Sequence, residues 1–180
     1  MRTFIAIELP EDIKSEIFHS FEKLEESGLV GKSVEKNNIH LTLRFIGEVS
    51  EEKIEEIKKK LSEIKFKKFK AKIGNIGFFP DENYIRVIWV ELVAKEINEI
   101  QEIIEEKCRE IGIPRDNKGF ASHITLARVE KIKNKSLFME KLKTLHVKKF
   151  EFTVKDFSLI KSELKRSGSI YRTLMKFPLN

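Results

Sequence analysis

Cysteine occurs once in the 180 residues, at Cys108, which excludes an internal disulfide and any cysteine-based zinc site. Glutamine also occurs once, at Gln101, while charged residues make up 36% of the chain, a bias of the kind found on hyperthermophile surfaces. A Walker-type glycine-rich loop and a Lys-x-Asp-Gly nucleotidyl-lysine motif are both missing, which disfavours a nucleotide-driven kinase or ligase. Apolar runs such as Val87-Ile88-Trp89-Val90 are far too short to span a bilayer. Residues 1–12 reach acidic groups too soon for a signal peptide. These absences lead us to expect a soluble cytoplasmic protein with no membrane partner and no evident obligatory protein partner. A chain of this length can bury about 70% of its unfolded surface, so it needs neither a disulfide nor a structural metal.

What is present is charge and pattern. The formal charge of +6 suits an anionic partner, nucleic acid being the common one, although a Lys- and Glu-rich surface alone would also produce it. Strand-like runs take turns with helix-period runs. Strands are expected near 2–9, 38–46 and 66–79. A helix between the first two has Ile13, Ile17, Phe21 and Leu24 on its face and Gly28 beyond its end. A second, capped by Ser50, carries Ile54, Ile57, Leu61 and Ile64. The order then repeats: strands near 84–92 and 122–129, a helix facing inward through Ile97, Ile100, Ile104 and Ile111, and another through Phe138, Leu142 and Leu145. Closing strands are expected near 149–160 and 169–177. Lys68, Lys70 and Lys72 read as a solvated strand face over Phe69, Ala71 and Ile73.

The two halves align with an offset of 83: Glu8-Leu9 on Glu91-Leu92, His40-Leu41-Thr42-Leu43 on His123-Ile124-Thr125-Leu126, and Phe69 on Phe152. Two copies imply a duplicated lobe and not a solenoid. The expectation is an α+β fold forming one two-lobed catalytic domain over 1–180, with approximate repeats at 1–79 and 84–180. Two largely antiparallel sheets with outer helices would leave a central cleft carrying both His-x-Thr motifs, and the turn at 80–83 would be the seam between lobes.

Six Thr in 180 residues would follow a given His at the second place about once in 30 by chance, yet two of the four His do so, both in strands and at matching repeat positions. Residues i and i+2 of a strand share a face. His40 with Thr42, and His123 with Thr125, therefore point to one side while the aliphatic neighbours point into the core. Two imidazoles can divide acid and base work near neutral pH, and two hydroxyls can donate to phosphate oxygens. His19 and His146 lack such partners and read as ordinary histidines. No further His or Cys accompanies either motif, so neither a metal site nor a cofactor is expected.

Residues 40–47, His-Leu-Thr-Leu-Arg-Phe-Ile-Gly, and 122–128, Ser-His-Ile-Thr-Leu-Ala-Arg, resemble the two signatures of the two-histidine phosphoesterase superfamily, and their flanks are most similar to its RNA 2',3'-cyclic phosphodiesterase branch, also called the 2'-5' RNA ligase family. The resemblance covers nearly the whole chain. It includes Arg2-Thr3-Phe4-Ile5-Ala6-Ile7, Gly77-Phe78-Phe79-Pro80, Arg86-Val87-Ile88-Trp89, residues 159–164 and Tyr171; Ser122 stands where many members have Pro. It implies a bilobal fold and hydrolysis of a terminal 2',3'-cyclic phosphate on RNA to a 2'-phosphate, tRNA fragments being among the candidate substrates. In some members it also implies ATP-independent 2'-5' joining of RNA ends. By the same resemblance His40 is the proton donor and His123 the acceptor; the near-symmetric motifs do not themselves assign these roles.

Candidate substrate contacts are Arg128, Arg44, Phe120, Lys165 and Arg166. Arg44 shares the parity of His40 and is expected at the cleft mouth or facing solvent; Arg128 has the opposite parity and needs a bulge or strand end to turn it inward. Phe45, with the parity of the buried leucines, is expected in the core, and Cys108 is expected as a small core residue. Two alternatives stay open: an RNA- or nucleotide-binding module without useful turnover, and a phosphodiesterase for 2'-5' oligonucleotides.

Overall fold

The computed structural model describes residues 1–117, 119–145, 149–165 and 168–180. His146 and Arg166 lie outside the described residues. In chain order the elements are β1 (Arg2–Glu8), α1 (Glu11–Glu25), β2 (Leu29–Ser33), a 3-10 turn (Lys36–Asn38), β3 (His40–Glu48), α2 (Glu51–Ser62), β4 (Phe69–Pro80), β5 (Ile85–Val93), α3 (Lys95–Glu110), β6 (His123–Ile132), α4 (Lys135–Thr144), β7 (Glu151–Val154), β8 (Asp156–Lys165) and β9 (Gly168–Pro178).

The helices form where periodicity and end chemistry agree. Acidic Glu11 and Asp12 open α1 and Lys23 closes it, matching the helix dipole, and its expected face is buried. Ser50 caps α2 by accepting from the Lys53 amide at 3.2 Å, and Asn134 caps α4 by accepting from the Leu137 amide at 3.0 Å. Ile97, Ile100, Ile104 and Cys108 of α3 are all buried. Burial pushes the Cys108 thiol up to about 11, as suits a small core residue.

The strands pair antiparallel in the order β7-β4-β5-β6-β3-β1-β8-β9, with β2 added on β6. The strands form one curled sheet, in which the expected two sheets are the halves β9-β8-β1-β3 and β7-β4-β5-β6. They meet where β3 touches β6 through a single pair, Leu41 opposite Ile124, both completely buried. Burying each such side chain contributes about 1.5–3 kcal/mol. This pair therefore sets the register between the motif strands, within a core continuous across both halves.

Three features differ from the sequence reading. The turn at 81–84 does not separate the lobes, because it closes a β4–β5 hairpin inside one half of the sheet. Asp81 Oδ1 accepts from the amides of Asn83 at 2.7 Å and Tyr84 at 3.2 Å, the local geometry of a tight turn. The closing run near 149–160 is two strands: β7 pairs with β4, and after Lys155 the chain crosses to pair β8 with β1. The short β2 was not anticipated, since Leu-Val-Gly-Lys-Ser shows no alternation. It lies so close to β6 that a Cβ on Gly31 would fall 2.2 Å from the Arg128 carbonyl oxygen, so only glycine fits there.

Candidate active site

The β1–β3 register places Glu8 opposite His40, and the β5–β6 register places Glu91 opposite His123, so both histidines open their strands in equivalent surroundings. Antiparallel counting outward from the Leu41–Ile124 pair sets Thr42 opposite His123 and His40 opposite Thr125. Thr42 and His123 accordingly line one cavity.

The backbone orients both rings in the same way. His40 Nδ1 lies 2.6 Å from the Asn38 carbonyl oxygen, and His123 Nδ1 lies 2.8 Å from that of Ala121. A carbonyl only accepts, so each Nδ1 carries hydrogen and each Nε2 is left for chemistry. His40 Nε2 is 3.0 Å from Thr42 Oγ1. While His40 is neutral, the Thr42 hydroxyl donates to Nε2. Once His40 is protonated, Nε2–H donates instead and the hydroxyl hydrogen is released to another acceptor. Protonation of His40 and donation by Thr42 to a bound anion are thereby coupled.

Aromatic rings flank both histidines; all four lie in the stretches that carry the family resemblance, which gave them no place beside the histidines. The rings of Phe4 and Tyr171 lie 4.9 and 5.4 Å from that of His40; those of Phe79 and Trp89 lie 5.0 and 6.1 Å from that of His123. Trp89 finds room because Gly77 lies beneath it: a Cβ there would be 2.2 Å from the indole. Burial holds the His40 pKa below its ordinary value, opposed by the Asn38 hydrogen bond and the Glu8 charge and reinforced by Lys14 and His123.

A matching irregularity in both motif strands decides the remaining side chains. Ala6 pairs with Thr42 and Ile5 with Arg44, so Leu43 is an extra residue; Trp89 pairs with Thr125 and Ile88 with Ala127, so Leu126 is another. These two bulges stand at equivalent positions of the two repeats. Each reverses the alternation beyond it. Arg128 is therefore exposed on the same side as His123 and Thr125. Phe45, its counterpart in the first repeat, is 57% exposed and not in the core as expected.

Arg44 is correspondingly buried, where it lines the same cavity as Thr42 and His123. It is 7% exposed, with Nε 2.9 Å from Glu105 Oε1 and Nη1 3.6 Å from Asp116 Oδ2. It also donates to the carbonyls of Phe45, at 2.9 Å, and Pro114. Arg44 thus ties β3 to α3 at the wall of that cavity.

A cavity of about 240 Å³ opens between β3, α3 and the segment leading into β6, lined by Thr42 and His123 together with Arg44, Phe45, Phe120 and Arg115 among others. Phe120 is half-buried and packs on the core while lining this cavity. Lys165 ends β8 at the hairpin tip, apart from that lining. His19 stands apart from the cleft, exposed and 2.9 Å from Glu22. Among the described residues no three His, Cys, Asp or Glu side chains gather into a metal-binding cluster.

A family model described as LigT like Phosphoesterase matches the chain twice, over residues 7–89 and 90–171. The chain belongs to the LigT-like phosphoesterases. An RNA 2',3'-cyclic phosphodiesterase of Methanocaldococcus jannaschii is 37% identical over 178 residues, covering 98% of this chain and 100% of the relative. One of Archaeoglobus fulgidus is 35% identical over 179 residues, covering 98% and 99%. Among solved structures, a Thermus thermophilus protein superposes with a TM-score of 0.83 at 29% identity, covering 99% of this chain and 98% of the other. Escherichia coli LigT complexed with 3'-AMP gives 0.79 at 25% identity, covering 99% and 97%. This LigT-like chain shares the mixed α/β architecture of those neighbours across its length.

Proposed function

We propose that this chain hydrolyses the terminal 2',3'-cyclic phosphate of RNA to a 2'-phosphate by metal-independent acid–base catalysis, as one two-lobed domain acting in the cytoplasm. The observation that carries the reading is the matched setting of two His-x-Thr units on strands joined at Leu41–Ile124, each with Nδ1 tied to a backbone carbonyl and Nε2 left for chemistry. Names of relatives, RNA 2',3'-cyclic phosphodiesterases over the full chain length, supply the substrate class.

In this mechanism water attacks phosphorus and the bond from phosphorus to the 3'-oxygen breaks. His123 takes the water proton at Nε2, and His40 gives its proton to the departing 3'-oxygen. Thr42 and Thr125 donate to the non-bridging oxygens, where charge accumulates. The anionic phosphate itself favours the protonated form of His40, offsetting the burial that depresses its pKa. With an RNA 5'-hydroxyl in place of water, the same proton transfers yield a 2'-5' linkage without ATP. Arg128 is assigned to the phosphate or an adjacent nucleotide, Phe120 and the exposed Phe45 to the base, and the Lys165 hairpin to the RNA backbone.

The test is incubation of the purified protein with an RNA ending in 2',3'-cyclic phosphate in excess EDTA, followed by identification of the new end. A 2'-phosphate is expected. A 3'-phosphate, or full loss of turnover restored by one divalent cation, would overturn the mechanism.

A further inference from the structure

Glu8 ends β1, and its register sets it directly across from His40. Opposed residues on antiparallel strands share a face, with Cβ atoms about 5 Å apart. The carboxylate is held in place from two further strands. Its Oε1 accepts from the Ser158 hydroxyl at 2.5 Å and from the Thr173 hydroxyl at 3.3 Å, and Lys176 Nζ lies 3.6 Å away. Ser158 is completely buried. Glutamate is disfavoured in strands, and partial burial of a charge costs solvation. The second repeat nevertheless carries Glu91 in the same register against His123.

We propose that Glu8 is a positioning residue for the reaction: its anchored negative charge stabilises the protonated imidazole of His40, and so keeps a proton on the group that delivers it to the 3'-oxygen. The inference rests on the two-histidine reading above. The groups that act on His40 come from each neighbouring element. Lys14 on α1 and His123 on β6 oppose its protonation, as does burial; Glu8 on β1 and the Asn38 carbonyl favour it. Tyr171 on β9 packs its ring edge against the imidazole. Without Glu8, only the carbonyl would remain to offset burial among the groups that act on His40. The Ser158 and Thr173 hydroxyls then serve to keep the carboxylate beside His40 instead of letting it turn to solvent.

The deciding experiment is an NMR titration of the imidazole carbons in the full chain, comparing wild type with Glu8→Gln, which keeps an acceptor for Ser158. The His40 midpoint should fall by about one pH unit, the low end for loss of a close opposite charge, while that of exposed His19 stays in place. An unchanged His40 midpoint in folded Glu8→Gln overturns the role. Lys176→Gln offers a fold-safe arm, since Lys176 is 56% exposed and partly neutralises Glu8; it should raise the midpoint, and a fall would overturn the role. Kinetically, Glu8→Gln should lose activity most steeply where His40 must hold its proton, and Glu8→Asp should recover part of it. The two levels fail separately: turnover surviving His40→Ala would defeat the two-histidine reading, whereas an inactive His40→Ala with an unmoved titration would defeat only Glu8.

Discussion

Removing the Arg44 side chain tests whether it ties β3 to α3 or meets the substrate. Arg44 and Glu105 are 7% and 4% exposed, and their ion pair joins β3 to α3. Arg44→Ala would leave the Glu105 carboxylate buried without its cation and the Pro114 carbonyl without its donor. Breaking a buried pair from one side costs about 3–5 kcal/mol. Burial already holds the Glu105 pKa above the ordinary carboxylate range, so this group can relax by taking up a proton. That argues for the lower figure, about 3 kcal/mol, which for a chain of this size lowers Tm by about 6–12 °C. The double variant Arg44→Met, Glu105→Met replaces the pair with apolar groups of similar length and should recover most of the loss. Circular dichroism melts of the three proteins decide the matter, alongside kcat/KM on a cyclic-phosphate RNA. A folded Arg44→Ala with wild-type Tm and a raised KM would refute the structural assignment and return Arg44 to the substrate.

His40→Ala and His123→Ala should each slow turnover by at least ~100-fold, with the double variant little worse because the two act as a unit; His19→Ala should be nearly neutral, and steady-state kinetics on folded variants checks all four. At Thr42 and Thr125, loss of a hydrogen bond to a charged oxygen, about 1.5–3 kcal/mol, predicts roughly a 10- to 100-fold slowing for Ala. Ser should recover most of it and isosteric Val none, so a fully active, folded Val variant would remove that threonine from the site. Because burial depresses the folded pKa of His40, the unfolded chain binds this proton first as pH falls. The stability contribution is complete above the ordinary value near ~6.5 and is lost as pH drops from there toward the folded value. His40→Asn should therefore flatten the dependence of Tm on pH just below the ordinary imidazole value near ~6.5; an unaltered slope would contradict the burial.

The sequence by itself determined the helices and the identity of the two motif strands. Amphipathic periods of about 3.6 decide which faces of α1, α2 and α3 are buried, and the period of two decides that His40 and Thr42, or His123 and Thr125, share a face. Repetition at an offset of 83 singled out those four residues, because an internal copy supplies the comparison that a lone motif lacks. Tertiary structure alone decided what lies beyond the fourth residue of each motif. An extra residue at Leu43 and at Leu126 reverses the alternation, burying Arg44 and exposing Phe45 and Arg128. Strand pairing produces such a bulge, and local pattern does not announce it. The exchange of closing strands was equally hidden. That β8 pairs with β1 while β4 stays with β5 is a choice among edges that local propensity leaves equivalent, and long-range hydrogen bonding settles it. Those pairings bring Tyr171 and Ser158 to His40 and Glu8, contacts spanning more than a hundred residues, which no window along the chain contains.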